Sequence, residues 1–309
     1  MDLLRTAAAA LICCAMLTAT AIAQDDAEQV ESDAMDFALH DAEYTMYHEI
    51  GHLLVNELDL PVLGKEEDAA DALAVILMLN DTSDLEESAN ALVDSADGWY
   101  YNAVKANRAT VEDLMYYDSH SLDIQRAYAM VCMMVGAQPE AFKETADGFN
   151  MDADGQEQCS YTYSDADRAW SKLLEPFLAV EGGPVGEPIT VVYEDAAPGF
   201  EQYKDELESR AILNNAAALV SAKFVLPRPI TFLGTQCDTA NAWYSNSEAQ
   251  ITYCYALTAD MHDLYVNDII GSGSDEATGD EEATSDEEAT GDEEASETDD
   301  SEEATTQYW

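Results

Sequence analysis

Positive charge is the most conspicuous shortage in this chain. It has 12 Lys and Arg residues against 64 Asp and Glu residues, and its formal net charge at pH 7 is −52. Residues 271–309 contain 16 of the acids and no Lys or Arg, so the rest of the chain still has 48 acids against 12 bases. Such a field repels nucleic acid and anionic membranes. We therefore expect no nucleic-acid partner and a surface that tolerates cationic substrates.

Long apolar runs are also scarce. The run from Ala7 to Leu17 follows Arg5 and precedes the small residues around Ala23, a pattern typical of a secretory signal. We predict that residues 1–23 are removed after Ala23 and that the protein is periplasmic or secreted. No later stretch is long enough to span a bilayer.

Only six cysteines are present, and Cys13 and Cys14 fall within the predicted signal. An even number in an exported protein favours disulfides. We predict that the remaining four form two bonds between neighbouring elements, Cys132–Cys159 and Cys237–Cys254. A second metal site is the alternative, but none of the four lies in a C-x-x-C pair.

The segment His48-Glu49-Ile50-Gly51-His52 is the main candidate for a catalytic metal site. Two histidines four residues apart on a helix lie on one face and can bind one Zn²⁺ between them. The glutamate between them is placed to activate a water molecule. The flanking residues 36–58 have helical apolar spacing. The alternative is an amphipathic helix with two surface histidines.

A second helix with an acidic first turn is predicted after a break at residues 59–64. Because the connection is short, the two helices should be antiparallel neighbours, which brings the start of the second toward the histidines. Glu67 is the favoured third ligand, and Glu66 and Asp59 are alternatives. Asp71 lies one turn further on and is a candidate partner for the second ring nitrogen of a histidine.

This pattern resembles the gluzincin superfamily of zinc peptidases, in which HExxH is followed by a helix carrying Glu-x-x-x-Asp. The matching segment here is Glu67-Asp68-Ala69-Ala70-Asp71. The resemblance implies that His48, His52 and Glu67 are the zinc ligands. It also implies that Glu49 is the general base and that Asp71 orients a histidine.

The segment Asn241-Ala242-Trp243-Tyr244 resembles the edge strand of thermolysin-like peptidases. In that family the strand borders the cleft and pairs with the substrate backbone. The resemblance implies that Asn241 and Ala242 bind substrate. The alternative is a turn that leads into a strand.

His120 is the candidate for stabilising the oxyanion of the tetrahedral intermediate. Tyr116 and Tyr117 are alternatives for that role, and the alternative for His120 itself is packing at the start of the next helix. Arg126 is one of few cations, and it is expected to pair either with a site carboxylate or in a structural ion pair.

The whole chain also resembles a bacterial family of candidate metallopeptidases of uncharacterised function. The runs that carry this resemblance include HEIGHLLVNELDLPVLGKEEDAADALA, DSHSLDIQRAYAMVC, PRPITFLGTQCDTANAWY and QITYCYAL. In that family the cysteine-bearing strands precede the HExxH part. The resemblance therefore implies a circular permutation here, with residues 187–266 and 36–180 exchanged.

We predict an α+β fold, a helix-rich zincin-like domain with a small mixed sheet. Predicted helices lie at 85–106, 122–135, 163–177, 201–222 and 257–270, and predicted strands at 189–193, 229–233 and 250–256. Successive segments are the signal, an acidic lead (24–35) and a single domain (36–270), then a disordered acidic tail (271–309). The domain comprises a helical part (36–178), a Gly/Pro linker (179–188) and a sheet part (189–270).

The sequence thus predicts an exported zinc-dependent peptidase that acts on peptides or proteins. The alternative is a zinc-dependent binding or inhibitory protein without turnover. The oligomeric state is not assigned.

Overall fold

A computed structural model describes residues 3–80, 85–106 and 118–270, with side chains from residue 27 onward. Tyr116, Tyr117 and the predicted tail, 271–309, lie outside the described residues. Helices α1 to α9 span Leu3–Glu57, Glu66–Leu79, Leu85–Ala106, Asp123–Ala137, Lys143–Gly148, Ala153–Leu174, Glu201–Ser209, Ile212–Lys223 and Tyr255–Leu264. A 3₁₀ turn follows α6 at Glu175–Phe177, and a π-helical turn follows α9 at Tyr265–Ile269.

The four strands form one mixed sheet in the order β1-β2-β4-β3. They span Ile189–Tyr193 (β1), Ile230–Thr235 (β2), Ala242–Ser245 (β3) and Gln250–Cys254 (β4). β1, β2 and β4 run parallel, whereas β3 is antiparallel to β4 at the edge. The predicted α+β class, helix-rich with a small mixed sheet, is confirmed.

One hydrophobic core joins the helices to the sheet. Its cluster of buried residues includes Ile50 and Leu53 of α1 together with Phe232 of β2 and Ile251 of β4. Alternation along β2 turns every second residue toward this core. The central helix α1 is therefore packed directly against the sheet part.

The predicted Gly/Pro linker, 179–188, is bonded to the chain that follows α8. The N–H of Ala179 donates to the carbonyl of Lys223 at 2.8 Å, and the N–H of Glu187 donates to that of Leu226 at 3.1 Å. These bonds hold both ends of the segment against the same stretch of backbone.

Three predicted helices differ most from the structure. The helix that carries the histidines begins far upstream of residue 36, and Ala34 is already fully buried. The predicted 201–222 helix divides into α7 and α8 at Ala211, whose φ of 55° is left-handed. α6 begins ten residues before the predicted start because Asp152 caps it, accepting the N–H of Gly155 at 2.7 Å.

Both predicted disulfides are confirmed. Cys132–Cys159 joins α4 to α6, and Cys237–Cys254 joins the loop after β2 to the end of β4. Each bond restricts the unfolded chain and so stabilises the fold. Within the described part of the chain, no helix combines the length and apolarity needed to cross a membrane.

Gly51 allows α1 and α2 to approach closely. A Cβ at this position would lie 2.9 Å from both the Cα and the Cβ of Ala70. We predict that Gly51→Ala lowers the free energy of unfolding by about 1–2 kcal/mol, because steric overlap outweighs the gain in helix propensity. Urea unfolding measures this. The control is Gly148→Ala at the end of α5, where an added Cβ meets no atom within 4 Å; an equal loss there would contradict the explanation.

Candidate metal centre

The connection between α1 and α2 brings the histidines and the acidic first turn of α2 together. α1 ends with the N–H of Leu60 bonded to the carbonyl of Val55 at 3.0 Å. The chain then reverses through Asp59 and Gly64, which both have positive φ. The acidic first turn of α2 contains Glu67, which faces the histidine-bearing side of α1.

Three candidate ligand atoms surround one point. Nε2 of His52 lies 3.1 Å from Nε2 of His48 and 3.2 Å from Oε2 of Glu67. The third side of this triangle, between His48 Nε2 and Glu67 Oε2, measures 3.3 Å. Ligands about 2.0–2.1 Å from a tetrahedral zinc are about 3.3 Å apart, so the triangle matches one face of such a site.

The other ring nitrogens are held by carboxylates. Nδ1 of His48 lies 2.7 Å from Oδ1 of Asp71, and Nδ1 of His52 lies 2.8 Å from Oε1 of Glu66. The His52 contact is a hydrogen bond, whereas the His48 contact is close but lacks the angles of one. Because the carboxylates lie beside Nδ1 in both rings, both Nε2 atoms are left for a metal or a proton. The donor set, two imidazoles and a carboxylate, fits zinc and similar divalent ions.

Of the three acids considered as third ligand, Glu67 is the one that completes the triangle. Glu66 contacts the far side of the His52 ring, and Asp59 is exposed in the turn after α1. Burial raises the pKa of Glu67, but hydrogen bonds from His48 and His52 outweigh it and hold that pKa well below its ordinary value.

Asp71 connects His48 to a buried polar network. Nε and Nη2 of Arg126 donate to its two oxygens at 2.8 and 2.7 Å, and the hydroxyl of Tyr44 donates at 2.8 Å. The guanidinium carbon lies 3.6 Å from the centroid of the Trp99 ring. Of the two expectations for Arg126, pairing with a site carboxylate is therefore what the structure shows.

This network orients a ligand, and its loss should weaken metal binding. We predict that Asp71→Asn lowers metal affinity about 10- to 100-fold, the usual range for a partner that supports a ligand. Competition with a chromophoric chelator measures the effect. Asp68→Asn is the matched control, since Asp68 is exposed on the same helix. If both variants bind metal equally well, Asp71 does not support the centre.

Glu49 lies beside the triangle in a cavity of about 230 Å³. The residue is 5% exposed, and Oε2 has no hydrogen-bond partner in the described part of the chain. Burial raises the pKa of this carboxyl above its ordinary value, while the two histidines oppose the rise. A buried carboxylate with a free oxygen, beside a metal site, suits a general base.

The edge strand β3 borders the same cavity, which Asn241 and Ala242 both line. The carbonyl of Asn241 accepts the N–H of Cys254, so the backbone of the next residue, Ala242, points away from β4. Oδ1 of Asn241 accepts the N–H of Ala242 at 3.0 Å. Glu49 accepts the backbone N–H of Tyr244 from this same edge of β3, so the edge that does not pair with β4 faces the cavity.

The end of α1 fixes the position of this strand. Arg228 donates from Nε to Oε2 of Glu57 at 2.8 Å, and Tyr244 of β3 donates its hydroxyl to the same carboxylate. Arg228 also donates to the carbonyl of Asn246 at 2.6 Å. Hydrogen bonds from Arg228 and Tyr244 hold the pKa of Glu57 below its ordinary value.

His120 reaches the centre from the loop before α4. Its Nε2 lies 3.0 Å from Oε2 of Glu67, and its carbonyl accepts the Lys65 ammonium at 2.9 Å. The side chain is about half exposed and lines the cavity beside Glu49. The structure thus places His120 at the site.

Several cavity residues were missed from the sequence: Asp41, Thr45, Trp99, Asn102, Leu257 and Met261. Asp41 and Thr45 lie seven and three residues before His48, so helical spacing could have found them. Trp99, Asn102, Leu257 and Met261 come from α3 and α9, and no local pattern in the sequence connects these helices to the histidines.

Two imidazoles and a carboxylate around one point, with a buried glutamate beside them, define a candidate metallohydrolase. The chain belongs to a family described as "putative metallopeptidase", whose model matches residues 5–174 and 193–290. No curated protein and no solved structure matches the chain. Family and geometry together indicate a metal-dependent enzyme that acts on proteins or peptides.

Proposed function

We propose that the protein is an exported zinc-dependent peptidase of gluzincin type. The observation that carries the proposal is the triangle of His48, His52 and Glu67 with the partnerless oxygen of Glu49 beside it. When bound, zinc would polarise a water molecule and the scissile carbonyl. The residues of the chain would supply the remaining functions.

Glu49 takes the proton of the attacking water and returns it to the leaving amine. His120 donates a hydrogen bond from its ring to the carbonyl oxygen as negative charge develops there. Asp71 and Glu66 hold the two ligand rings, and the Arg126 guanidinium balances the charge of Asp71.

The substrate backbone pairs with the free edge of β3. Ala242 offers its carbonyl to the peptide, and the side-chain amide of Asn241 adds a polar contact at the same edge. An extended peptide in this position runs across the N-terminal side of the HExxH segment, over Glu49.

Export, the permuted order and the single domain remain proposals. Two disulfides suit an oxidising compartment, which supports export through the predicted signal. The shared core of α1 with β2 and β4 supports one domain over residues 36–270, and short joints at exposed loops suit a permutation.

The test is to load the full chain with zinc, measure the bound metal, and follow cleavage of a mixed peptide library with and without chelator. Equimolar zinc with cleavage that chelator abolishes supports the peptidase. Equimolar zinc without cleavage favours a zinc-dependent binding or inhibitory protein. If no zinc is retained, the ligand assignment is wrong.

A further inference from the structure

Asp41 is a second buried carboxylate in the cavity that contains Glu49. It is 5% exposed and lines the cavity on the same face of α1. Its side chain accepts a hydrogen bond from Thr45. The metal centre uses neither residue, so the catalytic proposal leaves Asp41 without a role.

A buried carboxylate in this position favours a cationic partner. An ionised carboxylate accepts about four hydrogen bonds, and burying it without a cation is costly. Arg126 is the one Lys or Arg among the residues that line the cavity, but its Nε and Nη2 already donate to Asp71. Burial raises the pKa of Asp41 to about 7, while Arg126 and Thr45 oppose the rise. A bound cation would favour the ionised form.

Asp41 has both apolar and polar neighbours. Gly98 of α3 lies opposite, and a Cβ there would approach Oδ1 of Asp41 to 4.0 Å and the methyl carbon of Met261 to 2.7 Å. Trp99, Leu257 and Met261 line the cavity together with polar side chains. Apolar side chains near a buried carboxylate suit a long side chain with an apolar stem and a cationic tip.

The distance along α1 matches such a side chain. Asp41 precedes His48 by seven residues, which is about 10 Å along a helix. A lysine or arginine side chain extends about 6 Å from its Cα, and the Cα of a residue that flanks the scissile bond lies about 1.5–2.5 Å from the carbonyl carbon. The carboxylate of an aspartate lies about 3 Å from its own Cα, so these lengths together cover about 10 Å. The cationic tip therefore reaches Asp41 when the carbonyl is at the metal centre.

We propose that Asp41 is a specificity determinant that selects substrates with Lys or Arg beside the scissile bond. This inference rests on the proposed peptidase function. The strongly acidic chain repels anionic peptides and attracts cationic ones, which acts in the same direction.

The test uses the zinc-loaded full chain and quenched peptides that differ at one residue, either side of the cleaved bond. Peptides with Arg or Lys should give kcat/KM at least about 10-fold above those with Met, which matches their apolar stem, and Glu should be poorest. Asp41→Asn, which keeps the shape and the Thr45 contact, should bring the Arg-to-Met ratio to about 1. Asp97→Asn is the control, because Asp97 is half-buried but does not line this cavity.

A binding measurement separates this inference from the peptidase proposal. Zinc-loaded Glu49→Gln is titrated calorimetrically with the Arg and Met peptides, with and without Asp41→Asn. Tighter Arg binding that needs Asp41 supports the inference even if no peptide is cleaved by the unmodified protein. Cleavage by the unmodified protein with no preference for Arg or Lys overturns it and leaves the peptidase proposal standing.

Discussion

Glu49→Gln is expected to retain zinc and to lose at least about 1,000-fold in kcat/KM for peptide hydrolysis, within the usual range for a general base. The amide has the same shape and can still accept the backbone N–H of Tyr244 that Glu49 accepts. It cannot take a proton from water. Because Glu49 is not one of the three clustered ligands, metal content should stay at the level of the unmodified protein.

The control is Glu43→Gln, which lies on the same helix, is half-buried and does not line the cavity. It should retain both zinc and hydrolysis. Zinc content is measured after dialysis, and hydrolysis with peptides that the unmodified protein cleaves. Activity retained in Glu49→Gln would refute the mechanism, and zinc lost from it would mean that Glu49 is a ligand.

The clustering of the three candidate ligands could be predicted from the sequence because its parts are local. His48 and His52 are one helical turn apart, and Glu67 follows after a short reversal that the chain must make at residues 59–64. A spacing rule is enough to place such groups together. The strand pattern of 189–193 was equally local, and β1 has the predicted bounds.

The cavity could not be predicted in the same way. Trp99 reaches it from α3 and Met261 from α9, so the cavity exists only after these helices pack on α1. Such contacts depend on side-chain packing between distant segments, which periodicity in one segment does not report. Asp41 has the right spacing, but an acid on a helix is usually solvated, and only its burial distinguishes it.

The predicted helix boundaries were wrong where polar residues form part of a helix. Residues 153–162 of α6 have few apolar side chains, so the apolar pattern began only at Tyr163. The cap at Asp152 and the disulfide at Cys159 hold this polar half against α4. Ala211 shows the reverse case, since its apolar neighbours suggested one helix and its left-handed backbone interrupts it.

Glu67→Ala is expected to lower zinc affinity by more than about 100-fold, beyond the range for residues that only support a ligand. Removing Glu67 takes away the one carboxylate of the triangle and leaves two imidazoles whose Nε2 atoms are 3.1 Å apart. Hydrolysis should disappear with the metal. Chelator competition and metal analysis after dialysis measure the change.

Two other variants decide between the acids that the sequence left open. Glu66→Ala should lower zinc affinity about 10- to 100-fold, because Glu66 contacts Nδ1 of the His52 ring and is not one of the three clustered ligands. Asp59→Ala should leave zinc affinity unchanged within about 2-fold, since its exposed carboxylate is not part of the cluster. A larger loss in either variant than in Glu67→Ala would reassign the third ligand.

Thermal unfolding measures the contribution of Glu67 to zinc binding independently. A ligand that binds only the folded state at 100 times its Kd stabilises that state by about 2.7 kcal/mol, so zinc should raise the Tm of the unmodified protein. The same addition should raise the Tm of Glu66→Ala less and leave that of Glu67→Ala almost unchanged. Because this readout needs no substrate, it tests the metal centre even if the preferred peptide is unknown.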